Sequence, residues 1–152
     1  MRLDAEHPLN LGLLAYLRRD GRGNRPPVAA PSSVPNADMN CGSHPDIVER
    51  VWDQLGGALP PSCRCLVYGN PALVHDKSGV VLALALGTEY ALLLPNGCMA
   101  DADKKEMERA RVYKTSGVRL DLGDFGPTWR FGRWNRVEEE WVLEVYLGME
   151  AV

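Results

Sequence analysis

Residues 80–95, VVLALALGTEYALLLP, constrain the fold more than any other stretch, because thirteen of the sixteen side chains are apolar. Gly87-Thr88 divides the run in two. A two-residue link that begins with glycine suits a type II′ turn, since glycine takes positive φ at no steric cost. That link predicts a β-hairpin pairing Ala85 with Tyr90, Leu84 with Ala91 and Ala83 with Leu92, a small residue facing a larger one each time. Strict alternation puts Val80, Leu82, Leu84 and Leu86 on one face and Val81, Ala83 and Ala85 on the other. Both faces are apolar, so both are expected to be covered. The competing reading is a helix, because Ala and Leu are good helix formers. Ser78-Gly79 before the run, Gly87 within it and Pro95-Asn96-Gly97 after it favour the hairpin. A membrane-spanning helix needs about 20 apolar residues, and this run is shorter and carries Glu89.

A chain of 152 residues fits one domain able to bury a sizeable core. Its net charge of −3 exerts no global pull toward nucleic acid or an anionic membrane. The sequence does not open on a basic-then-apolar leader, so reduced thiols in a cytoplasm are expected for Cys41, Cys63, Cys65 and Cys98. Cys63 and Cys65 would share a face on a strand. A zinc site needs two more ligands at metal spacing, and the alternative is a pair of small buried core residues.

Residues 1–43 read as separate from the rest. Leu9, Leu11, Leu13, Leu14 and Leu17 fit a short helix, and residues 21–42 carry Pro26, Pro27, Pro31 and Pro35 among Ser, Asn, Gly and Ala. That composition predicts a flexible linker, with a partner-binding arm as the functional alternative. Met39 offers an alternative start just before the ordered region.

The domain proper is expected over residues 44–152. A helix over 44–55 has Ser43 as cap, Asp46 three residues on, Pro45 in its first turn, and Ile47, Val48, Val51, Trp52 and Leu55 as its apolar stripe. Strands follow over 63–68 and 72–75, then the hairpin. A surface helix is expected over 101–113 on the thin stripe of Ala102, Met107, Ala110 and Tyr113. Alternation predicts strands over 118–122 and 128–134. The last helix, 136–149, has Asn135 and Glu138 at N-cap and N3 spacing, Glu138-Glu139-Glu140 complementing its dipole, and Val137, Trp141, Val145 and Met149 as its stripe.

The order helix, strands, hairpin, helix, strand resembles the restriction-nuclease-like core. That resemblance implies a metal held between two acidic residues, here Asp76 and Glu89, with a lysine two positions beyond the second. Ala91 stands where the lysine belongs, so the likeness is one of fold order and implies at most an inactive relative. His75, Asp76 and Ser78 fit a polar turn as readily as a hydrolase site, because a nucleophile and its base are recognised by mutual geometry. The sequence holds neither a phosphate-binding glycine fingerprint nor a helical His-Glu-x-x-His.

One local charge pattern stands out. Residues 104–136 hold nine basic side chains (Lys104, Lys105, Arg109, Arg111, Lys114, Arg119, Arg130, Arg133 and Arg136) against four acidic ones, inside an acidic chain. Within them Trp129, Phe131 and Trp134 alternate with Arg130 and Arg133. Trp and Arg dominate binding hot spots and also suit nucleic-acid backbones and stacked bases. The opposing expectation is aromatics in the core beneath solvated arginines. His75-x-x-Ser78-Gly79-Val80, Gly87-Thr88-x-Tyr90-Ala91-x-x-Leu94-Pro95 and Gly126-Pro127-x-Trp129-x-Phe131-Gly132-x-Trp134, with Trp141, resemble small uncharacterised bacterial proteins. The likeness spans about residues 44–150 and implies a bacterial origin without a particular activity.

The sequence thus predicts a single α+β domain. A mixed or antiparallel sheet of about five strands surrounds the central hairpin, flanked by three helices in the order α-β-β-β-β-α-β-β-α. The expected function is a non-enzymatic protein-binding module of the immunity or inhibitor type, with Trp129, Arg130, Phe131, Arg133, Trp134 and Arg136 as binding residues. Alternatives are a nucleic-acid-binding module acting through residues 104–136, an inactive nuclease-like relative, and an unidentified hydrolase. Neither a catalytic set, a metal site nor a cofactor is expected, and the partner is expected to be another protein rather than a membrane.

Overall fold

The computed structural model describes residues 3–19, 25–31, 43–112, 117 and 119–150. Met39, Cys41, Tyr113, Lys114 and Val118, each part of a sequence expectation, lie outside the described residues. The hairpin has the predicted register. β4 (Val81–Leu86) and β5 (Glu89–Leu93) are antiparallel, with Ala83 opposite Leu92, Leu84 opposite Ala91 and Ala85 opposite Tyr90. Gly87 turns the chain at φ 74°, a region that favours glycine. The hairpin lies within an antiparallel six-stranded sheet of order β1-β2-β3-β4-β5-β8. The other members are β1 (Val28–Ala29), β2 (Arg64–Val67), β3 (Asn70–Val74) and β8 (Trp129–Phe131). A separate ribbon pairs β6 (Ala110–Val112) with β7 (Arg119–Asp121).

Both faces of the hairpin are covered, but the alternation is not strict. The register slips between Leu73–Ala83 and Val74–Val81. Leu82 is the extra residue of a β-bulge, and the strand reverses sides there. Val80, Val81, Leu84 and Leu86 therefore pack into one layer, while Leu82, Ala83 and Ala85 pack into the other.

The shallow layer takes α2 (Pro45–Glu49), which continues as a π-helical turn over Arg50–Leu55, and α4 (Val137–Glu150). Val51, Trp52, Leu55, Trp141 and Val142 fill it, and Trp52 Nε1 donates to Ala72 O at 3.0 Å. The cap of α2 is His44, whose Nδ1 accepts the Asp46 amide, and not Ser43. The expected helix over 101–113 is shortened to α3 (Met99–Lys104). Its thin apolar stripe offers little to bury, Glu106 takes φ 57°, and the chain re-forms as β6.

The deep layer is closed by α1 (Pro8–Leu17) and by residues 120–131. Leu13, Leu14 and Leu17 are at most 1% exposed and pack with Leu84, Leu122, Phe125 and Trp129. A Cβ on Gly12 would lie 1.9 Å from Asp124 O, so glycine lets the helix sit directly on that loop. Asn10, fully buried, donates to Asp4 O and Gly79 O and accepts from Val81 N–H. β1 adds an edge strand to β2. The helix expected on Leu9–Leu17 thus packs in the core together with residues 120–131, and Val28–Ala29, within the stretch read as a linker, adds an edge strand to the sheet.

Cys63 and Cys65 are buried free thiols on opposite layers of the sheet. Cys63 belongs to a 3-10 turn, Pro61–Cys63, rather than to the strand, so the two do not share the face that strand spacing implied.

Candidate functional site

The aromatic–arginine stretch divides at Gly132. Before it, β8 pairs with β5 and Trp129, Arg130 and Phe131 are all buried. Trp129 and Phe131 join the deep core. Arg130 points to the other side, donates to Pro127 O and Trp129 O, and lies 3.5 Å from Asp103 at the edge of α3. After Gly132, the side chains of Arg133, Trp134 and Arg136 are exposed. Of the six residues singled out by composition, three build the core and three form a surface loop.

That loop is held from beneath. A Cβ on Gly132 would fall 1.8 Å from the Tyr90 ring, so only glycine admits the tyrosine there. The buried Tyr90 hydroxyl accepts the Trp134 amide N–H at 2.7 Å and donates to Glu138 Oε1. Glu138, fully buried at the start of α4, receives the Arg133 amide at 2.8 Å and the Asn135 amide at 3.4 Å on its other oxygen. It is therefore a buried hub as well as an acidic residue in the first turn of α4, three positions after the Asn135 amide it receives. Arg50, 3% exposed, neutralises it at 3.2 Å and also binds Glu139 Oε1 at 2.8 Å and Asn135 O at 3.0 Å. Burial alone would lower the Arg50 pKa, but Tyr90 and Glu138 outweigh it and raise it. Burial first, and then Glu138, push the Tyr90 phenol up, which keeps its donor proton in place.

The loop is fixed in an uncommon shape. Trp134 sits at φ 61°, a conformation that bulky side chains adopt only where their surroundings impose it. Trp134 is 49% exposed. The inner side stands edge-on to Tyr90, 5.6 Å between centroids, and lies 5.4 Å from the Arg50 guanidinium, in range of a cation–π contact. Trp134 also walls an open cleft of about 690 Å³ bounded by Glu89, Glu108, Arg111, Val112 and Arg133. Arg111 ties the β6–β7 ribbon to the sheet by pairing with Glu89 and Glu108 and lying 5.2 Å from the Phe131 centroid.

The basic character of the region is partly neutralised in the folded chain. Arg111, Arg119, Arg130 and Arg133 each have a carboxylate partner. Among the described residues Lys104, Lys105, Arg109 and Arg136 have none.

The acidic pair of the nuclease-like reading is not brought together. Asp76 precedes β4 and Glu89 follows it, so six residues of extended chain, roughly 20 Å, separate them. Glu89 is committed to Arg111, and Ala91 lies in the core. The buried pairing of Arg50 with Glu138 escaped the sequence reading, as did Glu150 beside His75. Among the described residues, helices long and apolar enough to cross a membrane are absent. No known protein family, curated protein or solved structure matches the chain.

Proposed function

We propose that this chain is a binding protein whose partner is another protein, in the manner of an immunity or inhibitor factor, and that Arg133, Trp134 and Arg136 form its contact. The observation that carries this reading is Trp134: a large aromatic, half exposed, held at positive φ by hydrogen bonds to a buried network. An anchor already fixed in its bound shape loses little entropy on association, and Trp flanked by Arg is the usual make-up of a hot spot. The pairing of Arg111, Arg119, Arg130 and Arg133 with carboxylates favours a protein over nucleic acid, because paired cations release fewer phosphate counterions.

The test compares the wild-type chain with Trp134→Ala and Arg136→Ala in capture from the native host, with and without nuclease, followed by titration of the captured partner. Trp134→Ala is expected to weaken a protein partner at least about thirtyfold, which is about 2 kcal/mol, with the cooperative melt retained. Binding that disappears after nuclease treatment and falls steeply with log salt supports the nucleic-acid alternative. Equal retention by wild type and Trp134→Ala overturns the assignment of the loop.

A further inference from the structure

The cleft beside Trp134 is lined in part by unpaired backbone. In the β6–β7 ribbon Ala110 lies opposite Asp121, Arg111 opposite Leu120 and Val112 opposite Arg119. One step before Ala110 in the same register, Leu122 N–H donates to Arg109 O at 2.6 Å. Hydrogen-bonding direction alternates along an antiparallel strand. Arg109 and Arg111 therefore turn their backbone groups toward β7, and Glu108, Ala110 and Val112 turn theirs away. Glu108 fits that direction, since its carbonyl accepts the Phe131 N–H of β8 at 2.8 Å. β8 then ends, and Gly132 N–H donates to Tyr90 O at 2.9 Å instead of following β6. Among the described residues nothing takes up the N–H and C=O groups of Ala110 and Val112, and both residues line the cleft with Glu89, Gly132 and Trp134.

Two other strand edges are guarded. β1 is framed by Pro26, Pro27 and Pro31, which have no N–H to offer a further strand. β7 carries the exposed ion pair of Arg119 with Asp121, and charge along an edge discourages pairing. β6 has neither device. Ala110 is uncharged, Arg111 is neutralised by Glu89 and Glu108, and Val112 is 59% exposed. The charged side chains that line the cleft are two acids, Glu89 and Glu108, and two bases, Arg111 and Arg133. A cleft so balanced has no net charge for a ligand to match, while Val112 and Trp134 offer it apolar surface.

We propose that the partner protein binds by adding a strand: an uncharged, extended segment of it pairs with the outer edge of β6 at Ala110 and Val112 and sets an apolar side chain against Trp134. This rests on the protein-binding reading of the Trp134 loop. Main-chain bonds fix the segment along β6, and Trp134 selects the side chain placed beside it. Only every second residue of the segment bonds β6, because both strands alternate in the same way.

The probe is a phage-displayed library of random heptapeptides selected on the full chain. The recovered peptide is synthesised, N-methylated at each position in turn, and titrated by calorimetry. N-methylation removes one N–H and keeps the side chain. The expected result is binding about tenfold weaker at positions two apart, and nearly unchanged at the position between them. Val112→Pro removes an N–H that β7 does not use, an orientation in which an edge strand tolerates proline. It is expected to keep the cooperative melt and weaken the unmodified peptide about tenfold, whereas Val112→Thr, which keeps the N–H, regains the affinity. Should Val112→Pro fail to fold, the N-methyl series carries the comparison. Recovery of no peptide, tolerance of N-methylation at every position, or equal binding by wild type and a folded Val112→Pro overturns the proposal. The partner captured through Trp134 separates this inference from the reading beneath it. A partner weakened by Trp134→Ala and indifferent to Val112→Pro overturns the added strand alone. One weakened by Val112→Pro and indifferent to Trp134→Ala supports the strand and overturns the Trp134 contact.

Discussion

Asn10 completes the hydrogen bonding of β4: its Oδ1 accepts the Val81 amide at 2.9 Å while its Nδ2 donates to Gly79 O at 2.8 Å. One side chain thus ties α1 to the central strand inside the core. Asn10→Ala leaves a buried amide unpaired, and a group so stranded costs about 1–3 kcal/mol. The expected loss is about 2 kcal/mol or more, read from urea unfolding. An unchanged midpoint would mean that α1 is not docked in solution.

Leu84 lies in the deep layer on one of the two central strands and is fully buried. Leu84→Asp places an unpaired charge there, at a cost of roughly 4 kcal/mol or more. The expected outcome is loss of the cooperative melt by circular dichroism. A soluble, cooperatively melting variant would contradict the position given to the hairpin.

Tyr90→Phe removes one hydroxyl that serves Trp134, Glu138 and Arg50 together. It strands the Trp134 amide and takes a donor from a buried carboxylate, so a loss of about 1–3 kcal/mol is expected. Trp134 should also become more mobile. Calorimetry reads the first effect and backbone NMR order parameters at residue 134 read the second.

Burial, and then Asp76, push the Cys63 thiol up to about 11, and burial, and then Cys63, push Cys65 up to about 12. Since the thiolate is the reactive form, neither should be alkylated in the native chain near neutral pH. Iodoacetamide labelling followed by peptide mapping is expected to modify Cys98 in the native chain, and Cys63 and Cys65 only on unfolding.

The Lys77 hydrogen bond, ahead of that from Tyr146, holds the Glu150 carboxyl below its ordinary value of 4.5. A depressed folded pKa stabilises the folded state above the unfolded pKa, and that contribution is lost as pH falls through the folded pKa. Wild type should therefore melt above Glu150→Gln near pH 7, with the gap closing below about pH 4.5. A gap that persists unchanged at pH 3 would refute the linkage.

The hairpin register was legible because Gly87 fixed the turn and small residues met large ones across it. The bulge at Leu82 was not, since it depends on how β3 pairs from the far side. Two covered faces could be read from residues 80–95, but not the identity of the second cover: α1 is ten residues long, joined to its partners by sequence that resembles a linker. Trp129 and Trp134 share a composition and only five positions. What separates them is Gly132, which yields to Tyr90 and lets the chain leave the sheet. Glu150 and His75 are distant in sequence, so no local spacing could have joined them.

The clasp between Asn10 and Val81 also orders events in time, since 71 residues separate the two. At about 5–20 residues per second, synthesis of that interval takes about 4–14 s. A ten-residue helix is marginal on its own in water. Leu13, Leu14 and Leu17 therefore leave the ribosome well before the strand and loop that cover them, which makes α1 the natural point of contact for a chaperone on the nascent chain.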